Sequence, residues 1–359
     1  MKYADEYRDG TLAAGLVSRI KNRSTKKIRL MEICGTHTMA IFRHGIRTLL
    51  PPTIELISGP GCPVCVTATG DIDKAIKLAG VDGVILATFG DLIRVPGSRS
   101  SLKEERSRGA DVRVVYSAMD ALDLAVKNPD REVVFIGIGF ETTAPTIAAC
   151  IIQAGTLGVK NFSVLAAHKL LPPAMEALLS AGDLGVDGFM CPGHVTTIIG
   201  TASYEGVASR YRVPCVVAGF EPLDILQTIS MLVDQCEAGS AEVQIQYSRA
   251  VSQDGNLKAL AVMHRAFEPC DAVWRGLGPI PLSGLGIRPE YEFMDAMIKF
   301  HPDVPEVREN PACRCGDVLR GVITPAECGL FKKACRPEHP VGPCMVSTEG
   351  SCAAFYKYF

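Results

Sequence analysis

Short apolar runs separated by amphipathic stretches dominate the first two thirds of the chain. Ile28–Ile33, Ile54–Ser58, Val84–Ala87 and Val112–Tyr116 are followed by Val133–Ile138, Phe162–Ala166, Gly188–Cys191 and Cys215–Ala218. Most are continuous rather than alternating, the pattern of parallel strands covered on both faces. Between them lie stretches of helical spacing, among them Asp71–Leu78, Pro173–Ala181 and Pro222–Cys236. Strand–helix–strand repetition packs as a doubly wound parallel sheet with right-handed crossovers.

The eight runs form two sets of four. Gly80-Val-Asp-Gly83 recurs as Gly185-Val-Asp-Gly188, a shift of 105 residues that also lays Cys34-Gly-Thr-His-Thr38 over Gly139-Phe-Glu-Thr-Thr143. It brings the end of the Leu56 strand near the Phe162 strand, and a slightly smaller shift lays Val114–Asp123 over Cys215–Asp224. Several matches in the same order mark an internal duplication. Two α/β lobes are therefore expected over 24–127 and 130–237. Asn128-Pro-Asp130 would sit at their junction, because a residue before proline avoids the helical region. Residues 1–23 and 240–359 read as a third unit. It comprises an N-terminal helix (Ala4–Ile20), a partly polar helical stretch (Val243–Phe267), a Gly/Pro-rich connector (Gly276–Pro289), a short helix (Tyr291–Phe300) and a cysteine-rich tail.

Composition narrows the function. With 37 Lys+Arg against 39 Asp+Glu and no dense basic stripe, the chain has little with which to grip a phosphate backbone, so no nucleic-acid partner is expected. The longest apolar run, Val133–Phe140, is far short of the ~18 residues of a membrane span. The polar N-terminus is unlike a signal peptide. A cytoplasmic protein, monomeric when free, is the expectation. In a reducing compartment its 14 cysteines are thiols rather than a disulfide framework.

Ligands of open α/β sheets bind beyond the carboxyl ends of the strands. Those ends carry Cys34 and His37, Cys62 and Cys65, Glu141, His168, and Cys191-Pro-Gly-His194. If the lobes face each other, these groups converge on one cleft. Cys62-Pro-Val-Cys65 has the spacing of a redox dithiol or of half a zinc site, and the Gly-Pro-Gly turn before it exposes the loop. Cys34, His37 and His194 are candidate site residues, although a buried cysteine or a histidine bonded to a carbonyl needs no function. Glu141 can act as acid, base or acceptor, or belong to a helix start with Thr142, Thr143 and Pro145. Cys150, Cys215, Cys236 and Cys270 lie in apolar or helical contexts and read as structural.

Six of the cysteines follow Ala312. Cys328, Cys335, Cys344 and Cys352 supply four thiolates, enough to close a four-iron–four-sulfur cluster or a structural zinc site. Their spacing is too wide for a ferredoxin loop, so a small folded unit must bring them together. Cys313 and Cys315 are a spare pair, expected outside that centre.

Cys34-Gly-Thr-His-Thr38, Gly59-Pro-Gly-Cys-Pro-Val-Cys-Val66, Gly139-Phe-Glu-Thr-Thr-Ala-Pro145 and Cys191-Pro-Gly-His-Val195, with the tail from Cys328 to Cys352, resemble the HypD family of hydrogenase maturation factors. The resemblance spans almost the whole chain. It implies two duplicated Rossmann-like α/β lobes with parallel sheets plus a third, cysteine-rich iron–sulfur unit. It implies a redox-active assembly scaffold that works with a HypC-type small chaperone and a HypE-type cyanide donor. The cargo would be iron carrying cyanide and carbon monoxide, destined for a nickel–iron hydrogenase. Cys34 would hold that iron, Cys62 and Cys65 would be a redox dithiol or further iron ligands, and Cys328, Cys335, Cys344 and Cys352 would bind a 4Fe-4S cluster. His37, Glu141, His168 and His194 would move protons or orient the diatomic ligands.

Two other classes fit parts of the pattern. An iron–sulfur dehydratase or reductase would use its cluster as a Lewis acid, but three cysteines would then suffice. A zinc-stabilised binding module would explain the tail and leave the strand-end cysteines and histidines without a purpose.

Overall fold

The computed structural model describes residues 5–182, 185–304, 307 and 309–359. The eight expected strands form at the apolar runs: β1 (Ile28–Glu32), β2 (Ile54–Ser58), β3 (Val84–Thr88), β4 (Val112–Val114), β5 (Glu132–Gly137), β6 (Phe162–Ala166), β7 (Gly188–Pro192) and β8 (Cys215–Ala218). Three more follow: β9 (Val243–Ile245), β10 (Phe267–Trp274) and β11 (Gly278–Ile287). One parallel sheet has the order β2-β1-β7-β8-β9, a second β4-β3-β5-β6, and β10 and β11 form an antiparallel hairpin. In β3, β7 and β8 every residue is buried, which is why these strands read as unbroken apolar runs. Each large apolar side chain buried there stabilises the fold by about 1.5–3 kcal/mol. The fold class expected from the chain, α/β with duplicated parallel sheets and a cysteine-rich end, is the one observed.

The strand pairing divides the chain differently from the expected lobes at 24–127 and 130–237. β1 pairs not with β3 but with β7, through Leu30↔Gly188, Met31↔Phe189 and Glu32↔Met190. β3 pairs with β5, through Val84↔Glu132 to Ala87↔Phe135, so Asn128-Pro-Asp130 lies inside one lobe. The first sheet thus takes its first two strands from the first repeat and its next two from the second. The other sheet takes the complementary set. Counted within each repeat, both sheets have the order second, first, third, fourth. Equivalent strands of two copies offer equivalent edges, so the copies can exchange halves without losing a ladder, as in a domain swap.

The third unit is not separate either. The N-terminal helix, Gly10–Arg23 after a 3-10 turn at Asp5–Arg8, packs on the helix Pro222–Ala238 of the first lobe. Ala4 lies outside the described residues. Arg8 pairs with Glu221, Arg19 and Arg23 pair with Asp234, and Arg249 lies over the Tyr7 ring while pairing with buried Asp224. Val243–Ile245 is the edge strand of the first sheet rather than helix, and the helix that follows it, Leu257–Ala266, packs on Ala144–Leu157 of the second lobe. Most of the Gly/Pro-rich connector is strand β11. Proline and glycine are tolerated there because the only continuous ladder of this two-stranded hairpin runs between its own strands, with isolated bridges at Trp274 and Gly284 on the outer edges. Among the described residues, no helix is long and apolar enough to cross a membrane.

The exchange has a direct test. Residues 1–128 and 129–359, expressed separately, should each lack cooperative unfolding and bind a hydrophobic dye, whereas co-expression should restore one cooperative protein. A half that melts cooperatively by circular dichroism on its own would contradict the pairing.

Candidate functional site

In the first sheet the chain leaves β1 toward β2 on one side and β7 toward β8 on the other, so a crevice opens beyond the carboxyl ends of β1 and β7. Cys34 stands there as the N-cap of the helix Gly35–Arg43, with extended backbone. His194 stands opposite, in the first turn of the helix Gly193–Ile199 that follows β7. Cys34 Sγ and His194 Nδ1 are 4.0 Å apart. Phe220, after β8, lies between the two histidines, with ring centroids 4.9 Å from His37 and 5.2 Å from His194. His37 Nε2 donates to the Gly219 carbonyl at 3.0 Å, which leaves its buried Nδ1 without a partner.

Cys34, His37 and Glu32 are buried, and burial shifts the titratable groups of the crevice. Burial pushes the Cys34 thiol up to about 12, with Glu349 and Glu32 adding to the effect, while the amides of His37 and Thr36 at the helix start oppose it. Burial takes His37 down to about 3 and His194 to about 4, so both rings are neutral near pH 7. Glu32 at the end of β1 accepts from Cys34 N at 3.2 Å and from Thr38 Oγ1 at 2.5 Å. Burial nevertheless raises its carboxyl to about 7.

The second cysteine loop touches the first. Gly35 N donates to Gly61 O at 3.0 Å. A Cβ on Gly61 would lie 2.1 Å from Cys34 N, so only glycine lets the loops meet. The next residue, Cys62, caps the short helix Pro63–Val66 and is joined to Cys65 as a disulfide, both sulfurs buried. That helix packs on the turn Pro343–Met345, which carries Cys344.

Cys328, Cys335, Cys344 and Cys352 line one small cavity of about 20 Å³, together with Cys313, Cys315, Leu330, Phe331 and Met345. The spare pair is therefore part of this wall rather than outside it, and Cys315 Sγ lies 2.8 Å from Cys344 Sγ. Among the described residues, no three metal-ligating side chains already stand at the mutual positions of a metal centre. The donor set does fit one. Six soft thiols around an apolar space, with neither histidine nor carboxylate on its wall, suit an iron–sulfur cluster or zinc.

Glu141 and His168 are not tied to this crevice. Glu141 follows β5, beside the crevice of the second sheet, where its Oε1 accepts from Leu171 N at 2.9 Å and its buried Oε2 has no partner. Burial raises its carboxyl to about 7. His168, after β6, is buried edge-on against Phe267 with neither ring nitrogen bonded, and burial lowers it to about 3. The exchange of strands separates the groups, since the ends of β1 and β7 share one sheet and those of β5 and β6 the other. The strand-end rule missed Phe220, Glu32 and Glu349. Only Glu32 left a sequence signal, as an acid inside an apolar strand.

Comparisons with known proteins bear on this geometry. The HypD family model, described as the hydrogenase formation hypA family, matches residues 11–359. A hydrogenase maturation factor HypD of Azotobacter vinelandii is 52% identical, covering 100% of this chain and 97% of its own length. HypD2 of Bradyrhizobium diazoefficiens is 50% identical over 100% of this chain and 97% of its own. HypD of Escherichia coli K12 is 46% identical over 100% and 98% respectively.

The buried carboxyl of Glu141 sets a pH dependence. Folded, it keeps its proton to about pH 7, while in the unfolded chain it ionises at its ordinary value. Its contribution is thus full below the ordinary range and is lost as the pH rises toward 7. Between pH 5 and 7.5 the unfolding free energy of the wild type should fall by about 2–3 kcal/mol more than that of Glu141→Gln. Parallel denaturation profiles for the two proteins would show that the carboxyl is already ionised in the fold.

Proposed function

This chain belongs to the HypD family of hydrogenase maturation factors, and on that footing we propose that it is an assembly scaffold for a hydrogenase iron centre. The cargo is an iron ion that receives cyanide and carbon monoxide before it is handed to a nickel–iron hydrogenase. Cys34 holds this iron. One observation carries the reading: a buried thiol at a strand-end crevice, 4.0 Å from a neutral histidine, directly adjoins a cysteine pair that can change oxidation state.

The residues support this role from below. A ferrous ion bearing cyanide and carbon monoxide is soft, and thiolate is a suitable ligand while it is loaded. Burial disfavours a free Cys34 thiolate, so the sulfur gives up its proton when a cation arrives to replace it. A second thiolate from a HypC-type chaperone would complete the hold on the ion. The 4.0 Å contact lets neutral His194 take the Cys34 proton through Nδ1, and Phe220 keeps both rings in place.

Release of cyanide from a thiocyanate carried by a HypE-type donor breaks a sulfur–carbon bond. It consumes two electrons and yields a thiolate and cyanide. Oxidation of the Cys62–Cys65 dithiol to its disulfide supplies two electrons and releases two protons. The disulfide must then be reduced again. Cys328, Cys335, Cys344 and Cys352 would hold a 4Fe-4S cluster, which when bound supplies electrons one at a time. Cys315 lies beside Cys344, the Cys62–Cys65 helix packs on the Cys344 turn, and the loop before that helix touches Cys34, so the three cysteine groups are neighbours in the fold.

Infrared spectroscopy tests the proposal on protein purified anaerobically after co-expression with the other maturation proteins. Carbonyl and cyanide stretches should be present in the wild type and absent in Cys34→Ala, which should keep its brown colour and acid-labile sulfide. A wild-type protein with its cluster but without such bands would overturn the scaffold reading in favour of an iron–sulfur reductase.

A further inference from the structure

The cysteine-rich tail reaches both crevices. Between Cys344 and Cys352, Val346 accepts from Arg94 Nη2 at 3.2 Å, and Ser347 Oγ donates to Asp91 Oδ2 at 3.4 Å. Both partners follow β3, at the crevice of the second sheet. Two residues on, Glu349 crosses to the first sheet, where its Oε1 accepts from Thr36 Oγ1 at 2.7 Å. Its own amide donates to Ser347 Oγ at 3.2 Å, which fixes the turn between the two contacts. The fit against the Cys34 loop is tight. A Cβ on Gly35 would lie 2.5 Å from Glu349 Cβ and 2.7 Å from its carbonyl oxygen. The glycine after Cys34 thus lacks a side chain to admit the tail.

We propose that Glu349 is a positioning residue for the Cys34 site, through which the tail completes that site once its cysteines have been gathered. The carboxylate does two things. By its bond to Thr36 it pins the first turn of the Gly35–Arg43 helix, and with it the Cys34 sulfur. It also sets a negative charge beside the position of a divalent cation, to which that charge is attracted. The tail can place Glu349 only when the chain from Cys344 to Cys352 is folded, because Gly350 lies against the Cys344 backbone and Ser351 starts the helix bearing Cys352. Gathering the four tail thiols and readying Cys34 are therefore one folding event. A chain without an ordered tail has an unfinished iron site.

The inference rests on Cys34 holding iron, and its test separates the two ideas. The full chain is used, with Glu349→Ala, Glu349→Gln and Thr36→Val variants, each checked for the colour and sulfide of its cluster. In apo protein, alkylation of Cys34 by iodoacetamide, followed by peptide mass spectrometry, should be about tenfold faster in Glu349→Ala and Thr36→Val, the worth of one charge-assisted hydrogen bond. Glu349→Gln, whose amide oxygen still accepts from Thr36, should stay near the wild-type rate. In protein co-expressed with the maturation partners, Glu349→Ala should lose the carbonyl and cyanide bands. Glu349→Gln should keep them, displaced to higher frequency because a negative charge near the ion is gone. Unchanged alkylation in Glu349→Ala, or bands of unaltered position in Glu349→Gln, would overturn the proposal. Absence of bands from the wild type would instead remove the iron reading, while the alkylation rates would still decide whether Glu349 positions Cys34.

Discussion

Everything at the site depends on the pairing of β1 with β7. Three residue pairs, Leu30↔Gly188 to Glu32↔Met190, bring together two strand ends that belong to different repeats. Because the helices that follow these strands depart to opposite sides, the sheet opens between them, and Cys34 and His194 face across the gap. A β1 paired with β3 of its own repeat in place of β7 would have no His194 beside it. The same exchange gives the second sheet its own opening, between β3 and β5, with Glu141 at its edge. Duplication supplied two crevices, and the residues that differ between them give each its chemistry.

Burial is the second constraint. Water would leave Cys34, His37, His194 and Glu32 near their ordinary ionisation; burial instead keeps the thiol protonated and the rings neutral, and raises the Glu32 carboxyl to about 7. Such a crevice favours an arriving cation that displaces protons. Loops meet there at backbone distance, as at Gly61 and Gly35, so there is little room for solvent. The neighbouring tail cavity is built differently, from thiols and apolar side chains with Arg314 as the one charged group on its wall, and suits soft-metal chemistry.

Much of this was legible along the chain, and what was not has physical causes. Eight strands declared themselves because buried parallel strands are apolar on both faces. β9 did not, being three half-buried residues at an edge, and β11 hid behind glycines and prolines that usually mark loops. Which strands pair was invisible, since duplicated strands carry duplicated patterns. Cysteines and histidines at strand ends were found by position, but only some share a crevice, because position along a strand does not say which sheet the strand joins. Thr36 and Glu349 are 313 residues apart, and nothing local to either announces the other. Cys313 and Cys315 escaped for the opposite reason: their spacing suggested a self-contained pair, whereas the fold turns them onto the cavity of the other four.

The exchange of strands also sets a timetable for synthesis. Arg29 of β1 is bonded to Asp187, which leads into β7, and the two are 158 residues apart. At ribosomal rates β1 must wait about 10–30 s after its own emergence before its partner exists. Meanwhile the second sheet can finish, since all four of its strands lie between β3 and β6. The nascent chain therefore completes its middle before its beginning, and carries an open apolar strand edge throughout. Such an edge is what chaperones recognise and what aggregation exploits. Faster translation through the middle of the message shortens that exposure, so for this architecture codon speed between β2 and β7 becomes a determinant of yield.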